Sequence, residues 1–393
     1  MINKISILGS TGSIGQTTLK ILNKKKLFKI DILAANKNYN LICKQIINFK
    51  PKYFIVSDNK TFKKLKKKFK NNKVKILDNF DDIKLLKTSN ITVSAIPGIA
   101  GLKPTISMIK YSKKILIANK ESVICGWNLI NSLANRNRTE IVPIDSEHYS
   151  ILKLIENHKK KEIKKIYITA SGGCLLNYDL KKIKKIKPKD ILRHPKWKMG
   201  KKITVDSSTL MNKILELIEA QKIFNISNEN LDILIHPSSL IHAIVEFKNG
   251  LTKLLFHDTN MIIPITNALY NNKLNIDNFY KPKIDFDKKN FLNLNFSKVD
   301  KKIFPIIKLK NKINQYPSTG IIINAANEVI VEKFLKKKVS FLAINKAIFQ
   351  IMRDRNYFKY AIKEPRSFNE ILKIDKWARK KTEELSSKYE NYF

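Results

Sequence analysis

The chain has 393 residues, 43% of them hydrophobic, and a formal net charge of +43, so it can fill two or three globular cores and is not a disordered polycation. Such basicity invites a nucleic acid or an anionic membrane, but the lysines are spread through nearly every segment with few aromatic residues among them, as codon drift in an AT-rich genome produces; no specific nucleic acid is expected. Three cysteines (Cys43, Cys125, Cys174) without Cys-x-x-Cys spacing, no signal peptide and no apolar run of ~18 residues exclude a disulfide framework, a zinc ribbon and a membrane span, so a cytoplasmic location is expected.

Lys4 to Leu8 reads as a buried strand, Gly9 to Gly15 as the loop after it, and Gln16 to Leu22 as the start of a helix. Further strands are expected at Ile30 to Ala34, Tyr53 to Val56, Ile91 to Ala95, Ile115 to Ala118 and Glu140 to Ile144, alternating with helices. The fold class is therefore α/β, opening with a Rossmann-like doubly wound sheet over residues 1–145. A central α/β catalytic domain is expected over 146–270, with strands at Ile166 to Thr169, Ile233 to Ile235 and Ala243 to Phe247. Asn and Lys dominate 271–297, read as a linker, and apolar steps of three and four in Gly320 to Leu335, Phe341 to Asp354 and Phe368 to Lys388 predict a C-terminal helical domain over 298–393.

The loop Gly9-Ser10-Thr11-Gly12-Ser13-Ile14-Gly15 stands between a strand and a helix, where bare backbone can receive a pyrophosphate; the competing reading is a structural turn. The second strand ends in Ala35-Asn36-Lys37-Asn38, with no acid for a ribose 2′-hydroxyl. Lys37 there suits the 2′-phosphate of NADP, unless it is one more surface lysine. Asp145 and Glu147 stand two apart, and in extended chain both point to one side, where they can share a hard divalent cation; alternatively they form a solvated acidic loop. Ser171-Gly172-Gly173 after a strand makes a phosphate cradle or a plain tight turn. Ser207, Asn212 and Lys213 add a hydroxyl, an amide and a cation near a helix start, and Glu216 and Glu219, three apart, either complete the metal site or are solvated. Trp197, in the charged segment Arg193 to Gly200, reads as part of a lid or as the anchor of an ordinary loop. His236 and His242 read as structural histidines, and Asn324 to Glu328 as helix packing.

Taken in order, these motifs, with Ala118-Asn119-Lys120-Glu121-Ser122, Pro143 to His148, Arg193-His194-Pro195 and Ile235-His236-Pro237, resemble the 1-deoxy-D-xylulose 5-phosphate reductoisomerase family over essentially the whole chain. The resemblance implies NADPH-dependent rearrangement and reduction of a phosphosugar, 1-deoxy-D-xylulose 5-phosphate, to 2-C-methyl-D-erythritol 4-phosphate in non-mevalonate isoprenoid synthesis, by a homodimer. It implies Asp145, Glu147 and Glu216 as ligands of Mg2+ or Mn2+, with Co2+ a further candidate, and Lys120 as the residue that orients substrate oxygens. Thr11, Gly12, Ser13, Ile14, Lys37, Asn38, Asn119, Glu121 and Gly200 would contact the cofactor. Ser146, Ser171, His194, Trp197, Ser207, Asn212 and Lys213 would join Lys120, Glu147 and Glu216 around the substrate, with Glu219 nearby. The chain departs from the family pattern at Cys174-Leu175 (commonly Pro-Phe), Ile214 (commonly Gly) and Asn260-Met261-Ile262-Ile263-Pro264 (commonly Asp-Met-Arg-x-Pro). Two other functions fit parts of the pattern: an NADP-dependent dehydrogenase without rearrangement, and a basic nucleic-acid-binding module.

Overall fold

The computed structural model describes residues 3–25, 27–81, 89–176, 178–192, 197, 200–277, 279–281 and 294–389. They form two compact units, each discontinuous in sequence: Met1–Tyr149 with Met261–Lys281, and Ser150–Asn260 with Pro282–Phe393. The linear division at 145, 270 and 297 does not follow this grouping. Of the expected linker, residues 278 and 282–293 lie outside the described residues.

The first unit is built on seven parallel strands, β1 (Asn3–Leu8), β2 (Phe28–Ala35), β3 (Tyr53–Val56), β4 (Lys75–Leu77), β5 (Ser89–Ser94), β6 (Ser112–Ile117) and β7 (Glu140–Pro143). Their spatial order is β4-β3-β2-β1-β5-β6-β7. Helices cover a parallel sheet on both faces, so its strands need near-continuous apolar runs. Ile5, Ile7, Leu8, Ile32 and Leu33 meet that need with no exposed surface. The order reverses between β1 and β5, the switch point at which such sheets bind ligands beyond their carboxyl ends. The short strand β4 adds only Lys75, Ile76 and Leu77 at the edge, too little pattern to be read from sequence. The helix Ile262–Tyr270 returns to this unit and packs on the helix Ser13–Lys24, with Tyr270 edge-on to Phe28 at 5.6 Å.

The second unit has a mixed sheet of β8 (Ile163–Ala170), β9 (Leu231–Ile235), β10 (Ile241–Phe247), β11 (Thr252–Phe256) and β12 (Ser297–Lys298), in the order β11-β10-β8-β9-β12. Only β8 and β9 run parallel; β10 is antiparallel to β8 and β11, and β12 to β9. The helix Thr319–Leu335 is apolar almost all round, the mark of a core helix, and packs against Phe341–Ile351, Phe368–Ser386 and Lys201–Thr209. Its polar residues are used across elements: Asn327 donates to Asp206 at 2.8 Å, and Glu328 accepts from Arg379, which also holds Asp375 at 2.7 Å. Burial would lower the Arg379 pKa, but the two carboxylates outweigh it and raise it.

Candidate active site

In the first unit, the expected cofactor and metal residues follow the carboxyl ends of β1, β2, β6 and β7. Gly9 has φ +88°, and a Cβ there would lie 2.5 Å from the Ala95 carbonyl oxygen; at Gly15 it would lie 2.4 Å from that of Gly9. Only glycine allows β1 to pass so close to the end of β5 and the following helix to start so tightly. The loop is fixed from behind, since Ser10 and Gln45 exchange two buried hydrogen bonds of 2.7 and 2.9 Å. Gly12 and Ser13 are left exposed at the start of the helix Ser13–Lys24, with Thr11 and Ile14 half-buried beside them. Helix-terminal amides in this position receive anions.

Beyond β2, Lys37 is exposed, while Asn38 caps the helix Tyr39–Phe49 by accepting from the Leu41 amide at 3.2 Å. Asn119 is 3% exposed and braces the loop after β5, donating to the carbonyls of Ile96 (2.5 Å) and Gly98 (3.2 Å). It also donates to Glu121 at 3.0 Å and caps the helix Lys120–Asn137 through the Ser122 amide at 2.7 Å. Asn119 and Glu121 thus shape the loop beside the switch point.

Lys120 places its ammonium 3.1 Å from the Asp145 carboxylate. The local geometry at Asp145 differs from the expected extended chain. Asp145 instead leads into the helix Ser146–Leu154: its carbonyl accepts from the Tyr149 amide at 2.8 Å and its side chain from the Ser146 amide at 3.1 Å. The argument that alternate residues of a strand point one way therefore does not apply. The helix start brings the two acids together, with oxygens of Asp145 and Glu147 within 4.8 Å of one another. Ser146 donates to Glu147 at 2.5 Å. His148, fully buried with Nδ1 3.7 Å from Asp145, is a neighbour that the spacing of acids alone does not reveal.

In the second unit, Ser171 follows β8 in a turn where its Oγ accepts from the Gly173 amide at 3.0 Å. Gly173 (φ +60°) lets this turn approach the helix Lys201–Thr209, since a Cβ there would lie 3.1 Å from the Ser207 carbonyl oxygen. The helix Met211–Phe224 begins after Leu210, whose φ of +67° breaks it from the preceding helix. Asn212 and Lys213 in its first turn both donate to Glu216, Lys213 at 2.7 Å. Glu216 and Glu219 are each 1% exposed, which removes the reading of a solvated acidic face. Leu175 and Ile214, two departures from the family pattern, are fully buried and fill core. Cys174 lies 3.4 Å from the Ser208 hydroxyl; burial pushes its thiol pKa up against the opposing effect of that bond.

Trp197 is half-buried, with its ring edge-on to His242 at 5.9 Å, and His242 stacks on His257 at 3.8 Å. His194 and the rest of 193–196 and 198–199 lie outside the described residues, while Gly200, exposed, precedes the helix Lys201–Thr209. His236 is structural: Nδ1 donates to the Asn295 carbonyl at 2.9 Å, Ser238 donates to Nε2 at 2.8 Å, and Phe296 stacks on the ring at 4.5 Å. Burial lowers its pKa, with the Asn295 bond opposing.

Residues 5–126 match the 1-deoxy-D-xylulose 5-phosphate reductoisomerase family, residues 141–224 its C-terminal domain and residues 257–381 the DXP reductoisomerase C-terminal domain. A 1-deoxy-D-xylulose 5-phosphate reductoisomerase of Pelagibacter ubique is 47% identical over 389 residues, covering 98% of this chain and 99% of the relative. Among solved structures, the enzyme of Zymomonas mobilis in complex with NADPH superposes with a TM-score of 0.88 at 30% identity, over 98% of this chain and 99% of that one. A DOX-P reductoisomerase in complex with NADPH, fosmidomycin and magnesium gives 0.89 at 30% identity over the same shares.

Proposed function

Because the chain belongs to the 1-deoxy-D-xylulose 5-phosphate reductoisomerase family, we propose a residue assignment for its reaction in both units. The enzyme converts 1-deoxy-D-xylulose 5-phosphate into 2-C-methyl-D-erythritol 4-phosphate by rearrangement and reduction, using NADPH and a divalent metal, in isoprenoid synthesis. The observation that carries the assignment is the Lys120–Asp145 pair beside Glu147, on the same sheet edge as the glycine loop.

Asp145, Glu147 and Glu216 are proposed as the metal ligands. They offer only carboxylate oxygens, and Lys120 and Lys213 already balance two of them, a donor set that fits Mg2+ or Mn2+, and Co2+ after these. When bound, NADPH supplies the hydride and the cation supplies Lewis acidity toward the substrate oxygens. Lys120 orients those oxygens and favours their anionic forms, with Ser146 and Glu219 alongside. Ser171, Ser207, Asn212 and Lys213 hold the phosphate. Since Asn212 and Lys213 both donate to Glu216, a Glu216 turned toward a cation leaves these donors to the phosphate. Thr11, Gly12, Ser13 and Ile14 take the pyrophosphate, Lys37 and Asn38 the 2′-phosphate side, and Asn119, Glu121 and Gly200 border the cofactor. Trp197 covers the substrate and helps exclude water, and His194, outside the described residues, is proposed to contact it. In linear terms, 1–145 serve the cofactor, 146–270 metal and substrate, and 298–393 support them with helices, with 271–297 as the connection.

The expected result is substrate-dependent loss of NADPH absorbance that stops with a chelator and returns with Mg2+ or Mn2+; no turnover with added metal would sink the assignment. Product connectivity by NMR separates rearrangement from plain dehydrogenation. A homodimer is proposed on the edge strand β11, where Leu254 is 46% exposed and the adjoining Leu251 59%; a Leu254→Glu variant with the oligomeric state of the parent in sedimentation removes that edge from the interface. A reducing, cytoplasmic setting is proposed because none of the three cysteines is in a disulfide. Among the described residues, no helix is long and apolar enough to cross a membrane.

A further inference from the structure

We infer that the end of β3 supplies a second half of the 2′-phosphate subsite: Lys60 binds the phosphate together with Lys37, and Asp58 is the counter-charge that the phosphate displaces. The inference rests on the NADPH reading of the first unit and adds to it two residues that follow the neighbouring strand.

β2 and β3 are adjacent and parallel, with Ala35 opposite Val56, and the Ser57 amide still donates to the Ala35 carbonyl at 3.2 Å. Residues 36–38 and 57–58 therefore leave the sheet side by side at its carboxyl edge, with Lys60 in the first turn of the helix that follows the second. A helix begins directly after each, and each is capped by its own side chain: Asn38 accepts from the Leu41 amide at 3.2 Å, and Asp58 from the Thr61 amide at 2.9 Å. The caps are committed to backbone, whereas Lys37 and Lys60 are exposed and extend from the same corner.

The charges at this corner belong together. The Asp58 carboxyl is held below the usual range chiefly by its hydrogen bonds from Thr61, and the ammonium groups of Lys37 and Lys60 draw it down further. One carboxylate thus lies within the field of two lysines, Lys37 just before the helix Tyr39–Phe49 and Lys60 in the first turn of the helix Asn59–Lys68. Later lysines of the helix Asn59–Lys68 lie further from the sheet edge, and Lys66 and Lys68 stand over the rings of Phe62 and Tyr39. A 2′-phosphate carries nearly two negative charges and meets both cations better than one carboxylate does, so it takes over their field. NADH brings only a hydroxyl to this corner, and the one acid present is already spent on a helix cap.

The test is fluorescence titration of the full chain with NADPH and with NADH, for the parent and for Lys37→Ala, Lys60→Ala and Asp58→Asn. Both lysines are exposed, and Asn caps a helix as well as Asp does, so the fold is retained and thermal melting serves as the control. Lys60→Ala is expected to weaken NADPH binding about threefold to fivefold with NADH unchanged, the range of an exposed charge pair. Asp58→Asn is expected to tighten NADPH about twofold, again with NADH unchanged. A parental NADPH/NADH ratio in Lys60→Ala, alongside a lowered ratio in Lys37→Ala, overturns the role of Lys60; a parental ratio in Asp58→Asn overturns that of Asp58. A parent that does not prefer NADPH overturns the underlying cofactor reading instead.

Discussion

The two units build function by different means. In the first, the work falls to backbone at strand ends: glycines that permit close approach, amides at a helix start, and side chains that leave the sheet just beyond its last ladder residue. In the second, it falls to charged side chains buried by tertiary packing, such as Glu216, 1% exposed and held by Lys213 and Asn212. A site made of backbone tolerates changes of side chain that keep the loop, whereas a site made of buried charge depends on every member of the set.

That contrast is broken or sharpened by substitution. The largest effect is expected at the acids: Glu216→Gln in the second unit, and Asp145→Asn or Glu147→Gln in the first, should each lower turnover on the order of a hundredfold or more, because Lewis-acid stabilisation is worth several kcal/mol. NADPH binding should persist in all three. Parental metal dependence of turnover in any one variant takes that residue out of the ligand set.

The glycine loop comes next. At Gly9 an added methyl meets the Ala95 carbonyl at 2.5 Å as well as a φ of +88°, whereas Gly250 has a φ of +89° with nothing within 4 Å. Gly9→Ala should cost roughly 2–4 kcal/mol and abolish NADPH binding, while Gly250→Ala should cost only about 1 kcal/mol, the backbone strain alone. Equal losses in urea titrations would show that close approach to β5 does not set the loop.

Lys37→Ala should raise the NADPH dissociation constant about tenfold to a hundredfold, as loss of a charge-assisted contact of roughly 1.5–3 kcal/mol implies, and leave NADH unaffected. An equal effect on both cofactors defeats the assignment of Lys37.

The smallest effect is expected at His236, whose folded pKa is lowered from the ordinary histidine value of 6.5 by burial. The unfolded chain then binds the extra proton first, so this contribution to stability is full above pH 6.5 and is lost as the pH falls toward the folded pKa. In His236→Gln, the acid side of the stability profile should be flatter; an unchanged slope in denaturant titrations between pH 7 and about 5 would rule out His236 as its source.

Much of this protein was legible in its amino acids. Alternation of apolar strands with helices, the Gly9 to Gly15 loop and the missing acid after β2 are local signals, and local sterics enforce them: parallel strands need apolar runs, and a Cβ at Gly9 has no room. The family pattern lay in motifs carried in chain order. Tertiary structure alone decided the rest. The nearness of Asp145 to Glu147 comes from a helix start, not from strand alternation, because Ile144 ends its pairing and Ser146 begins the next element. Strand β11 carries Thr252, Lys253 and exposed Leu254, a pattern that needs β10 beside it to become a strand. The helix Ile262–Tyr270 joins the first unit across more than a hundred residues of the second, since burial of Ile262, Ile265 and Leu269 is settled by which surface is vacant and not by distance along the chain. Periodicity records which face of an element is apolar; only packing records what that face meets, and the buried charges of the second unit acquire their partners through that choice.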